Sequence, residues 1–189
     1  MFTALLDANV LVPISLADII LRSAERGLFL PRWSPAILDE ALAAIRRVRP
    51  EIPPSRLQAR LTSMNARFPE ARVTGFESLI ETIELPDIND RHVVAAARLG
   101  HADVIVTRNQ KDLPAMALRR WGLEVVTPDC FLQDMLDLFP QAILDAVADQ
   151  ARDTRRPSLT VEQVLASLER AGAPQFAADV RERIGHGQA

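Results

Sequence analysis

Asp7, Glu40, Asp87, Asp90, Asn109 and Asp112 stand at the junctions of this chain's apolar segments. Asp7 interrupts the run Ala4-Leu5-Leu6-Asp7-Ala8-Asn9-Val10-Leu11-Val12. Glu40 falls in the second turn of a helix that starts at Ser34, and Asp87 and Asp90 open a further helix. Asn109 and Asp112 follow the apolar stretch that ends at Thr107. Carboxylates gathered in one place repel, and one or more takes a proton unless a cation is present. Oxygen donors with neither His nor Cys among them make a hard site suited to Mg²⁺ or Mn²⁺. His92, His101 and His186 are scattered and give no zinc spacing. A divalent cation held by carboxylates is equipment for phosphodiester hydrolysis, because it polarises the phosphoryl oxygen and acidifies a water. Each position also has a plainer explanation. Asp87 and Asp90 suit the cap and third position of a helix, Asp112 suits a cap before Leu113-Pro114, and Glu40 suits a solvated surface beside Asp39. Asp7 is hardest to explain that way, since a lone carboxylate closing a buried strand needs a partner.

The elements that position these groups follow from hydrophobic pattern and punctuation. Strands are expected at Phe2–Leu6, Leu28–Leu30, Ala71–Thr74, Asp103–Thr107 and Glu124–Val126. Helices are expected over 13–26, from Ser34 with an apolar face through Ile45 and a break at Pro50, and over 55–67, 87–99 and 113–121, with a short helix or turn over 78–83 and a long helix started by Thr127-Pro128-Asp129 that runs to about Leu138 and restarts at Pro140. Gly27, Gly100 and Gly122 close three of them. The alternation predicts an α/β fold, a three-layer α/β/α arrangement around a parallel sheet of about five strands. With the strands in the order 3-2-1-4-5, the first and fourth are neighbours. The crevice at their carboxyl ends is then the switch point where such sheets bind ligands. That brings Asp7 beside Asn109 and Asp112.

With 189 residues, a net charge of −3 and nearly half the residues apolar, the chain has ample core and is no basic nucleic-acid coat. Cys130 is the only cysteine, so no internal disulfide forms and a reducing compartment fits. No run of about 18 apolar residues is present and no leader pattern opens the chain, so a cytoplasmic protein without membrane contact is expected. Composition shifts near Arg152–Pro157, read as a linker. Thr160–Ala171 and Pro174–Ile184 follow as two amphipathic helices, either covering the core or forming a partner-binding arm. The expected division is a nuclease-like domain over 1–150 and a helical extension over 151–189.

The motifs LLDANVLV at Leu5–Val12, SPAILDEAL at Ser34–Leu42, LPDINDRHVVAAA at Leu85–Ala97 and IVTRNQKDLP at Ile105–Pro114 resemble the PIN domain family in order, interval and context. The resemblance covers about residues 2–135. It implies a metal-dependent ribonuclease like the VapC-type toxins of toxin–antitoxin pairs, using Mg²⁺ or Mn²⁺. It also implies RNA as substrate, a cognate antitoxin protein as partner, and compatibility with a homodimer. It further implies that Asp7, Glu40, Asp90 and Asp112 are the metal-site carboxylates. Asn9 then orients Asp7, Thr107 adds its hydroxyl to the same pocket, and Asn109 stands where many relatives carry Asp; Asp87 is a further supporting position. The long segment 51–82 and the tail after residue 150 depart from the small toxins.

Between Arg46 and Arg72 seven arginines face two glutamates, a local excess of five positive charges. Arg56 and Arg60 on this segment, with Arg108 and Lys111 near the acidic positions, are the candidate RNA contacts, since phosphate binding is sequence-independent and salt-sensitive. The alternatives are a solvated arginine-rich face and, for the whole chain, a catalytically weak PIN-like module that binds RNA or protein. A third reading, phosphoryl transfer on Asp7, is weakened by Asn9, which cannot act as the acid.

Overall fold

The computed structural model describes residues 1–154 and 158–187. Among them four parallel strands form one sheet: β1 (Thr3–Leu6), β2 (Leu30–Arg32), β3 (Val104–Val106) and β4 (Glu124–Val126), in the order β2-β1-β3-β4. The helices are α1 (Ala8–Leu11), α2 (Ile14–Glu25), α3 (Pro35–Val48), α4 (Pro54–Arg67), α5 (Glu77–Ile80), α6 (Arg91–Leu99), α7 (Ala115–Arg119), α8 (Pro128–Leu138), α9 (Pro140–Asp153), α10 (Val161–Arg170) and α11 (Pro174–Gly187). The chain divides into two units, residues 1–12 with 30–126, and residues 13–29 with 127–189. No described helix is long and apolar enough to cross a membrane.

The first unit holds the sheet. β1 and β3 are buried along their whole length, as central strands of a parallel sheet are. Their register pairs Leu5 with Ile105 and Leu6 with Val106. Burying side chains of this size contributes roughly 1.5–3 kcal/mol each. The segment Val93–Ala97 of α6 is buried on every side, which small alanines permit. Behind α6, Gly100 leaves room that a Cβ would not: one placed there would stand 2.8 Å from Val73 Cγ2 and 3.0 Å from the Ala96 carbonyl oxygen. His101 then takes a φ of 50°, the left-handed turn more often given to glycine.

The α/β class and the order of strands are as expected, with four strands in place of about five. The apolar run Leu28-Phe29-Leu30 is not the second strand; pairing starts at Leu30 and runs through Pro31 and Arg32. Leu28 instead completes the turn after α2, donating its N–H to the Ser23 carbonyl. Pro31 is tolerated because the N–H groups of Leu30 and Trp33 point to opposite sides, to Phe2 and to Ala71. Pro31 shares the outer side and costs no bond to β1. The strand expected at 71–74 shrinks to one bridge between Trp33 and Arg72, because Ser34 caps α3 immediately and leaves only Trp33 to pair. Trp33 is fully buried, donates from Nε1 to Asn65 Oδ1 across 2.9 Å and meets Phe68 edge-on. These contacts seat α4, whose inward residues are Leu57, Leu61 and Met64.

The second unit is helical. α10 and α11 pack with α2, α8 and α9, so they are elements of a helical core and do not extend as an arm. Thr160 and Gln163 form a reciprocal capping box at the start of α10. Asp129 accepts from the backbone N–H groups of Gln175 and Phe176 at the start of α11, and Arg181 joins α11 to Glu162 and Glu169 of α10. The linker expected over 152–157 begins inside α9, whose last residues are Arg152 and Asp153; residues 155–157 lie outside the described part.

Candidate active site

Parallel pairing of β1 with β3 puts the residues after both strands side by side at the carboxyl edge of the sheet. Asp7 ends β1 and caps α1. Its Oδ1 accepts from the Ala8 N–H at 2.7 Å. Its Oδ2 accepts from Asn9 Nδ2 at 2.6 Å and from the Thr107 hydroxyl at 2.7 Å. Asn9 Nδ2 also reaches Thr107 Oγ1, while Asn9 Oδ1 accepts from the Arg108 N–H at 2.9 Å. Thr107 Oγ1 accepts the N–H of Asn109 as well. The buried carboxylate thus has partners, and the loop leaving β3 is tied to the end of β1.

Asp90 enters from the other side. Asp87 caps a single 3₁₀ turn, Ile88–Asp90, by accepting from the Asn89 N–H, and α6 begins only after it. Asp90 therefore makes no side-chain cap bond; its Oδ2 accepts from Asn109 Nδ2 at 3.2 Å. Glu40 comes from α3, where Glu40, Ala43, Ala44 and Arg47 recur at helical spacing on the face opposite the apolar one. His92 Nε2 lies 2.9 Å from Glu40 Oε1.

A cleft of about 530 Å³ is lined by Asp7, Asn9, Glu40, Asp90 and Asn109 together with the exposed Arg47 and Arg108. Burial pushes the Asp7 carboxyl above its usual range, against the hydrogen bonds from Thr107 and Ala8. Asp90 is pushed up to about 6, by burial first and then by the charges of Asp7, Asp87 and Asp112. For His92, burial opposes the charged form, but the Glu40 hydrogen bond and the charges of Glu40, Asp7 and Asp90 outweigh it and raise its pKa.

The structure brings Asp7, Asn9, Glu40, Asp90, Thr107, Asn109 and Arg108 together. Asp112 is half-buried beside this group without lining the cleft; it does not cap α7, whose cap position is Pro114. Asp87 stays at the 3₁₀ turn. Lys111 and Arg56 are exposed away from the lining. Arg60 donates from Nη2 to the Leu11 carbonyl, holding the end of α1. Arg49 of the basic segment pairs with Glu51. Two residues of the site escaped the sequence reading: Arg47, counted only within the arginine excess although it stands seven residues after Glu40, and His92, set aside with the scattered histidines although it stands two after Asp90.

Among the described residues no three His, Cys, Asp or Glu side chains form a ready cation cage. The donor set still fits a hard divalent ion. Mg²⁺ commonly keeps several waters and takes one or two carboxylates plus substrate phosphate, and burial followed by the repulsion of neighbouring carboxylates raises the pKa of both Asp7 and Asp90, a strain that a bound cation relieves.

The fold and the cleft define an α/β protein with an acidic crevice at the switch point of a parallel sheet. Comparison places it more closely: residues 3–111 match the family described as PIN domain, and the chain belongs to that family. Residues 128–182 match the family described as VapC50 C-terminal domain. The chain is 35% identical over 113 residues to a protein named "Putative ribonuclease VapC50" from Mycobacterium tuberculosis (strain ATCC 25618 / H37Rv). That match covers 60% of this chain and 66% of the relative's length. No solved structure matches the chain significantly.

Proposed function

We propose that this protein is a metal-dependent endoribonuclease, the toxin of a type II toxin–antitoxin pair, acting in the cytoplasm on RNA and silenced by a cognate antitoxin. The observation that carries the reading is the convergence of Asp7, Glu40 and Asp90 on one open cleft that the exposed Arg47 and Arg108 also line. The name of the VapC50 relative supports it. Asp7, Glu40 and Asp90, with Asp112 close by, would hold Mg²⁺ or Mn²⁺. When bound, the ion supplies polarisation of the phosphoryl oxygen and a more acidic water. The protein's own groups do the rest. Arg47 and Arg108 bind the phosphates that flank the scissile one. Asn9 and Thr107 fix the Asp7 carboxylate, and Asn109 fixes that of Asp90. The chemistry lies in the sheet-bearing unit within residues 1–150, and the helices after residue 150 stand outside it.

The test is cleavage of a mixed set of structured RNAs by the purified chain, with Mg²⁺ or Mn²⁺ against EDTA, and wild type against Asp7→Asn and Asp90→Asn. Cleavage lost with EDTA and with each substitution supports the reading. Cleavage that survives both substitutions overturns it.

A further inference from the structure

His92 is committed to one contact. Its imidazole is mostly buried, with 14% of the side chain exposed, and its Nε2 faces Glu40 Oε1 at 2.9 Å. Its Nδ1 is buried and finds no hydrogen-bond partner among the described residues. The Glu40 side chain, in contrast, is 51% exposed. A glutamate on an exposed helix face samples many rotamers, and fixing it costs side-chain entropy. Nothing on α3 itself restrains Glu40, since the residues that share its face are Ala43, Ala44 and Arg47. The restraint comes from α6. The start of that helix presents Asp90 directly and, two residues later, reaches over to Glu40 through His92.

We propose that His92 is a positioning residue, which through its Nε2 holds the Glu40 carboxylate in the cleft and so sets the strength of divalent-cation binding there. The proposal rests on reading the cleft as a metal site. One rigid element then fixes two carboxylates carried by different parts of the chain, as outer partners of metal-binding groups commonly do. The role belongs to the Nε2 donor and not to the bulk of the ring, so variants of different reach separate the two. In His92→Gln the amide nitrogen extends to the place of Nε2; in His92→Asn it stops short.

The experiment is titration of Mn²⁺ into the metal-free full-length protein by calorimetry, with folding checked by circular dichroism and melting. His92→Ala and His92→Asn are expected to weaken Mn²⁺ binding about 10–100-fold, and His92→Gln to bind within about threefold of wild type. In a Glu40→Ala background, removal of His92 is expected to change nothing further. The proposal is overturned if His92→Asn binds as wild type does, if Gln is no better than Asn, or if the His92 and Glu40 effects add. Wild type that takes up no Mn²⁺ removes the metal reading itself and this role with it. Wild type that binds while the His92 variants match it removes only the role of His92. Asn and Gln conserve polarity, so the comparison holds even if the alanine variant unfolds.

Discussion

The Thr107 hydroxyl donates to Asp7 Oδ2 across 2.7 Å, joining residues 100 apart in the chain. The threonine is fully buried and Asp7 nearly so. The hydrogen bond stabilises the charged form of a carboxyl group that burial otherwise drives toward protonation. Thr107→Val keeps the shape and removes the donor. It is expected to cost about 1–3 kcal/mol of stability at neutral pH, the toll of a buried acceptor losing a partner, whereas Thr107→Ser keeps most of it. Urea denaturation of the three proteins checks this, and a Val variant as stable as wild type would show the contact to be idle.

The pKa of Asp90 gives a pH signature to the metal-free protein. Its folded-state pKa, about 6, lies above the ordinary 3.8. The folded state therefore holds that proton more tightly than the unfolded chain. The associated stability is fully present below about pH 4 and is lost as pH rises through 6. In EDTA, the melting-temperature difference between wild type and Asp90→Asn is expected to grow in favour of the variant from pH 4.5 to 7.5. Saturating Mn²⁺ should erase that trend for wild type. A difference that stays constant with pH would mean that Asp90 is not the group responsible.

Arg47 and Arg60 are expected to part company. Arg47 is exposed and lines the cleft, so Arg47→Ala should reduce the slope of log affinity for single-stranded RNA against log salt by about 0.7. Arg60 secures the Leu11 carbonyl, so Arg60→Ala should lower the melting temperature first. Equal salt slopes for wild type and Arg47→Ala would rule out the phosphate contact.

Ala43 lies between Glu40 and Arg47, a span of about 10 Å along the helix. A substrate backbone bridging those residues must pass over it. Ala43→Trp should raise the KM for RNA cleavage about tenfold or more while leaving the Kd for Mn²⁺ unchanged; a tenfold change corresponds to about 1.4 kcal/mol. A loss of Mn²⁺ affinity in this variant would place the damage at the acidic groups instead.

The centre of the sheet was legible because β1 and β3 are apolar runs with clear limits; alternation argued for parallel strands, and the doubly wound order taken with it puts Asp7 beside the loop after Thr107. The edge was not. Leu30-Pro31-Arg32 has no strand-like pattern, and its pairing depends on which side each N–H faces, which only the assembled sheet decides. Asp90 reads in sequence as a companion of Asp87 at a helix start. The 3₁₀ turn between them leaves Asp87 as the cap and turns Asp90 toward the cleft. His92 carries no spacing signal, because its partner Glu40 lies on another helix. Its significance appears only when α3 and α6 are placed together.

The ring of hydrogen bonds from Asp7 through Asn9 and Thr107 to the backbone of Arg108 and Asn109 exists only when Leu6 is paired with Val106. A slip of one residue would send every side chain of one strand to the opposite face and scatter the ring. The cleft thus acts as a check on the molecule's own assembly, since a partly folded or mispaired chain has no site with which to act. For a protein whose proposed target is the RNA of its own cell, the hazardous chemistry would arise last, once folding is complete and a partner has a finished surface to hold.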